Sequence, residues 1–278
     1  MKTNLFDYRE RDNLIFNLSG LSKLICFICM SVAVMLSYDI RYILFVTVLS
    51  LLFFRISELR FGQIRLMLIY VAIFLAINFI LTFLFSPLYG TELYGTRHDL
   101  LRITSRYVIT QEQLLYQVTK TCKYLSMVPL GMLFLLTTNP SEFAASLNRA
   151  FVPYKVCCVL SLTLRYFPDI IRDYHSISLA QQSRGLDFSR KEKLFTRVKN
   201  MFNVLLPLIL STLDRVTVVS NAMDLRGFGK EKKRTWYVAK PLVGKDIAAI
   251  ALGIAILAGS IYMTNVVNGS RFWNPFIA

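Results

Sequence analysis

The chain has 278 residues, 55% of them apolar, and its 32 Lys and Arg outnumber 17 Asp and Glu to leave a net charge of +15. Mean hydropathy is +0.49, and several apolar runs of 14–21 residues carry no charge at all. These values exclude a disordered chain and a disulfide-stapled secreted domain and speak against a nucleic-acid binder; they point to a membrane protein whose basic residues mark cytoplasmic loops.

The first apolar run is Leu24–Tyr38, broken upstream only by Lys23. Tyr42–Phe54 follows after Asp39-Ile40-Arg41. Each is short for a span of about 20 residues, so the two read as a tight helical hairpin that borrows flanking residues. Leu66–Ser86 is the clearest span. Residues 87–112 read as a polar loop. A fourth span is expected over 114–138, with Lys120 and Lys123 in its first half, and a last one over Ile247–Val267. The expected organisation is an N-terminal transmembrane region over 1–138, a cytoplasmic region over 139–245, and a final span and tail over 246–278. Residues 1–13 are polar and no small-residue cleavage site follows the first run, so no cleavable signal is expected.

With the N-terminus inside, the cytoplasmic segments 1–23, 55–65 and 139–245 hold 25 of the 32 basic residues. The expected topology therefore has five spans, the N-terminus in the cytoplasm and the C-terminus outside.

Within 139–245, Val156–Leu164 and Val204–Leu213 are apolar but too short to span, and are closed by Arg165 and by Asp214-Arg215. A mid-bilayer Arg costs about 2.5–3.5 kcal/mol on insertion scales. The pattern predicts two long amphipathic helices at the cytoplasmic interface. One carries the stripe Leu160, Leu164, Phe167, Ile171, Tyr174 and Ile177. The other carries Phe195, Val198, Phe202, Leu205, Ile209, Leu213, Val216, Val219 and Met223, with a kink expected at Pro207. The fold class is thus all-α and polytopic: about five transmembrane helices plus two long amphipathic cytoplasmic helices.

Both amphipathic helices end alike, in Ser183-Arg184-Gly185 and Leu225-Arg226-Gly227, with an Ala four residues before each Arg and 42 residues between the two. Gly after a helix and Arg in its last turn are ordinary caps. Their recurrence at two similar helix ends suggests a further role, in which an Arg on a rigid rod enters a groove on a soluble partner and bonds carboxylates there.

Thr138-Asn139-Pro140-Ser141-Glu142-Phe143, Leu147, Pro153, Leu164-Arg165-Tyr166-Phe167-Pro168 and the two Arg-Gly ends together resemble the transmembrane T component of energy-coupling factor transporters, the family that includes the CbiQ-type proteins of cobalt and nickel uptake. Family motifs usually read Ala-Arg-Gly; here Ser183 and Leu225 replace that Ala. The resemblance implies a non-catalytic scaffold of an ATP-driven micronutrient importer in a bacterial-type cell membrane. It implies two ABC-type ATPases docked at Ser183, Arg184, Gly185 and at Leu225, Arg226, Gly227. It also implies a membrane-embedded substrate-binding S component packed on a surface that includes Leu164, Phe167, Ile171, Phe202, Leu205, Ile209 and Leu213. No cofactor is expected on the chain itself; ATP and Mg belong to the partner ATPases. The lipid bilayer is the remaining partner, and no nucleic acid is expected.

The other features point to plainer roles. Cys26 and Cys29 read as small membrane-core residues, His98 and His175 as surface or capping residues, and Gly253 and Gly259 as points of close helix packing. Two rival classes are a conventional ABC permease and a membrane enzyme of lipid or isoprenoid chemistry. The latter would rest on Asp169 and Asp173, for which ion pairs with Arg165 and Arg172 are the simpler expectation.

Overall fold

A computed structural model describes residues 13–58, 61–102, 108–186, 194–231, 234–269 and 272–273. It divides into two compact units: residues 1–139 with 240–278, and residues 140–239.

The first unit contains α1 (Gly20–Leu36), α2 (Ile40–Ile56), α3 (Phe61–Phe85), the short α4 (Tyr89–Tyr94), strands β1 (Asp99–Arg102) and β2 (Val108–Thr110), and α5 (Gln111–Thr137). The second unit contains α6 (Pro140–Arg149), α7 (Tyr154–Ser183) and α8 (Leu194–Leu225). The chain then returns to the first unit as α9 (Gly244–Tyr262), prolonged by a π turn over Met263–Val267. The protein is an all-α membrane protein. The antiparallel pair β1–β2, with α4, lies in the stretch expected to be a polar loop.

Among the described residues, three stretches are long and apolar enough to cross a membrane: Met67–Phe85, Asn200–Leu225 and Gly244–Val267. The second corrects the expectation that Val204–Leu213 is too short. Residues 194–225 form one helix through Pro207, because the apolar run continues past Asp214-Arg215 into Val216, Val218 and Val219. Length therefore does not argue against a span there; the charged pair does. Helices α1 and α2 have 17 residues each, about 25 Å at 1.5 Å per residue.

The core of the first unit gathers Met30, Ala33, Val34, Tyr42, Val46, Leu130 and Ile256 from α1, α2, α5 and α9. Helix α9 lies against α1. A Cβ on Gly253 would stand 3.2 Å from the Cys26 Cα, a tight contact that glycine avoids. Gly259, by contrast, faces open space. Cys26 donates its Sγ–H to the Ala249 carbonyl, as a packing residue would.

The charges inside the apolar runs have defined partners. Lys23, in the first turn of α1, donates to the Thr137 carbonyl at the end of α5 at 2.9 Å and to the Phe16 carbonyl. Lys123, on α5, donates to the Met35 and Ser37 carbonyls at the end of α1 and lies over the Tyr38 ring at 3.5 Å. Each lysine thus places a cation on the negative end of the other's helix. Asp246, near the start of α9, accepts from the Ser19 N–H and the Ser22 hydroxyl, both at 2.7 Å, and from the Val243 N–H. It satisfies groups at two helix N-termini at once. His98 is not a solitary surface residue. Its Nδ1 lies 2.7 Å from Oε1 of the fully buried Glu112, whose Oε2 accepts the His98 backbone N–H.

In the second unit Pro140 opens α6, where a missing N–H costs nothing. Ala144, Ala145 and Cys157 are buried where α6 meets α7. The Asn148 side-chain amide donates to the Val152 carbonyl and ties the corner between them.

Candidate functional site

The two Arg-Gly ends have the same backbone geometry. At the end of α7 the Gly185 N–H bonds the Gln182 carbonyl at 2.9 Å and the Leu186 N–H bonds Gln181 at 3.2 Å. At the end of α8 the Gly227 N–H bonds Asp224 at 2.9 Å and the Phe228 N–H bonds Met223 at 3.0 Å. Both are i−3 plus i−5 closures, the Schellman pattern, which needs a left-handed residue at the glycine. Gly185 has φ +89° and Gly227 has φ +66°. The closure turns the chain sharply away and leaves the preceding arginine at the end of a rod. Ser183, Arg184, Gly185, Leu225 and Arg226 are exposed and Gly227 is half-buried. Leu225, at 90% exposure, puts its extra bulk outward. Ser183 turns its hydroxyl back to the Leu179 carbonyl.

Helices α7 and α8 run antiparallel. Asp173 and Arg215 pair across them with Nη2 to Oδ2 at 2.6 Å, and Phe228, just beyond the second tip, lies 6.0 Å from the ring of Tyr154 at the start of α7. The tips therefore stand at opposite ends of the pair. Tyr166, Asp169, Arg172, Asp173 and Arg215 line an open polar cleft of about 320 Å³. Asp169 meets Arg172, three residues on, at 3.6 Å, in place of the Arg165 partner expected four residues before it. The partner of Asp173 is Arg215, on the neighbouring helix, which a single-helix pattern could not reveal. Both carboxylates are thus engaged by guanidinium groups, and the described residues contain no group of three or more His, Cys, Asp or Glu able to hold a metal ion.

The apolar stripe of α8 lies mostly outward. Among the described side chains of that helix, Asn200, Val204 and Leu208 are buried, at 7%, 1% and 9% exposure. Phe202, Ile209 and Leu213 lie outward, and Leu205 is half-buried. On α7, Leu164 is half-buried while Phe167 and Ile171 are exposed. The side chains of Phe195 and Val198 lie outside the described residues. Helix α8 is apolar around much of its circumference, so period alone does not single out the face packed within the subunit.

Residues 11–237 match the family described as CbiQ, cobalt transport protein. The chain belongs to this family. Membership makes it a transporter membrane component of the energy-coupling factor type rather than an enzyme. Three relatives bear the name energy-coupling factor transporter transmembrane protein EcfT. That of Limosilactobacillus fermentum is 28% identical over 134 residues, 45% of this chain and 49% of the relative. That of Bacillus selenitireducens is 29% identical over 144 residues, 49% and 53%. That of Streptococcus thermophilus is 29% identical over 185 residues, 62% and 69%. The chain spans about half the length of the first two.

Proposed function

We propose that this CbiQ-family chain is the scaffold of an ATP-driven micronutrient importer in a bacterial-type cell membrane, with its N-terminus in the cytoplasm. Two ABC-type ATPases, which carry the ATP and Mg, dock at Ser183-Arg184-Gly185 and at Leu225-Arg226-Gly227. A membrane S component that binds the substrate packs against the outward apolar residues Phe167, Ile171, Phe202, Ile209 and Leu213, with Leu164 and Leu205 at the margin. The observation that carries this reading is the pair of identical glycine closures, each presenting an exposed arginine from the end of a helix of 30 residues or more. ATP-driven closure of the ATPases would move the two tips, and α7 and α8 would carry that movement to the S component. Leu225 gives the second tip a larger apolar contact than Ser183 gives the first, which suits two different ATPase grooves.

The test is ATPase retention by the purified membrane subunit. Arg184→Glu and Arg226→Glu each weaken it, and the double change abolishes it. A buried charge-assisted contact at an interface is worth about 2–5 kcal/mol on truncation, whereas an arginine that only complements its own helix end is worth about 0.3–1 kcal/mol. Wild-type retention in the double variant overturns the docking. Sidedness is read from a cysteine beside each arginine on a cysteine-free background; labelling of either by an impermeant reagent from outside overturns the topology.

A further inference from the structure

The two tips differ in what holds them, and the difference lies in a residue that no Arg-Gly pattern contains. Arg234 folds back under the second tip. Its Nη2 donates to the Gly227 carbonyl at 2.8 Å and to the Arg226 carbonyl at 3.1 Å. The Gly227 carbonyl otherwise takes only the long bond from the Lys230 N–H at 3.4 Å among the described backbone groups, and the guanidinium adds a positive charge where the helix dipole is negative. The same cation lies within electrostatic reach of the Tyr154 hydroxyl. Two residues on, Trp236 donates from Nε1 to Asn148 Oδ1 at 3.1 Å and lies 5.5 Å from the Tyr154 ring. Phe228 closes the cluster from the other side of the tip. Residues 234–236 therefore strap the second tip to the corner between α6 and α7. Among the described residues, no side chain bonds the Arg184 or Gly185 carbonyls, and nothing lies within 4 Å of where a Gly185 Cβ would stand.

We propose that Arg234 is a positioning residue for the second docking tip: it fixes the direction in which Arg226 leaves the helix, so that the second site is preorganised. This rests on the docking reading above. A preorganised contact forfeits less ordering entropy on binding, so the brace strengthens docking at the second tip.

The experiment has two arms. In the purified subunit without partners, hydrogen exchange reads the brace alone. Arg234→Gln speeds exchange of the 227–230 amides and leaves the Gly185 and Leu186 amides unchanged; Arg234→Lys restores part of the protection. Unchanged exchange at 227–230 overturns the brace. In the assembled complex, retention of the ATPase subunits that co-purify with the wild-type chain is measured in two backgrounds. With Arg184→Glu, where only the second tip docks, Arg234→Gln lowers retention roughly two- to fivefold, the scale of a cation lost from a helix C-terminus. With Arg226→Glu, where only the first tip docks, it changes nothing. Equal losses in both backgrounds indicate general unfolding and overturn the proposal, as does no loss in the first. Full retention in Arg184→Glu with Arg226→Glu refutes the docking reading itself, and the exchange result still shows whether the brace exists.

Discussion

Asp173 and Arg215 meet at 2.6 Å, and each stands eleven residues before the arginine of a tip (184 − 173 and 226 − 215). Eleven residues of helix are about 16 Å. The one described ion pair between α7 and α8 therefore sits at the same distance along the chain from both docking ends, like the pin of a pair of tongs with equal arms. Both side chains are about one-third exposed, at 33% and 36%, which limits the pair to about 1 kcal/mol. Asp173→Asn or Arg215→Gln is expected to lower the subunit's thermal stability by about that much, and the exchange Asp173→Arg with Arg215→Asp to recover most of it. A thermal-unfolding cycle in detergent checks this; additive losses with no recovery mean that the contact contributes nothing.

The glycine closures give a sharper test of tip geometry. Gly185→Ala forces a side chain into φ +89° with no obstacle within 4 Å among the described residues, so the expected effect is backbone strain, about 1–2 kcal/mol. At Gly227 the φ is +66° and the nearest atom is the flexible Lys230 Cδ at 3.4 Å, so the cost is similar. Each substitution is expected to weaken ATPase retention at its own tip without loss of yield from the membrane. Retention unchanged by both would show that tip direction is irrelevant to docking.

On α8 the buried and outward faces separate two effects. Val204→Glu places a charge at a position 1% exposed and is expected to lose folded protein. Phe202→Glu, at 65% exposure, is expected to leave the isolated subunit folded in detergent and to reduce co-purification of a membrane partner. Size-exclusion profiles and the composition of the purified complex report both. Equal damage from the two substitutions would remove the outward face as a partner surface.

Lys123→Glu puts an anion among the last carbonyls of α1, where the helix dipole already disfavours one, and removes the ring contact with Tyr38. A single buried partner turned unfavourable costs about 3–5 kcal/mol, enough to abolish recovery of monodisperse protein. Lys123→Arg keeps a donor cation and is expected to retain it. Fluorescence-detected chromatography of the two variants checks the pair.

What the sequence made legible were features written within a single segment. The helical period and the Arg-Gly closures are both local. What it hid are pairings between segments far apart in the chain. Lys23, Lys120 and Lys123 looked like interruptions of apolar runs, because the carbonyls and the Thr82 hydroxyl that receive them lie 38 to 114 residues away. His98 looked solitary because Glu112 is fourteen residues off and reaches it only through the β1–β2 pair. Asp173 was assigned to its own helix because the neighbouring Arg172 was the visible cation. Arg234 stood in a basic run that read as a topology signal, and only its fold-back onto Gly227 sets it apart.

The lysine exchange between α1 and α5 has a consequence for synthesis. Lys23 finds its acceptor at Thr137, and Ser19 and Ser22 find theirs at Asp246, which follow 114 and more than 220 residues later. At about 5–20 residues per second, α1 waits on the order of 10 s for the carbonyl that receives its lysine, and roughly twice as long for the carboxylate that closes its start. Throughout that interval the ammonium of the first helix has the Phe16 carbonyl, seven residues before it, but lacks its acceptor on α5. The helix's retention must then depend on the insertion machinery, on headgroup phosphates and on the α2 hairpin, and the N-terminal half released on its own would be a poor membrane protein.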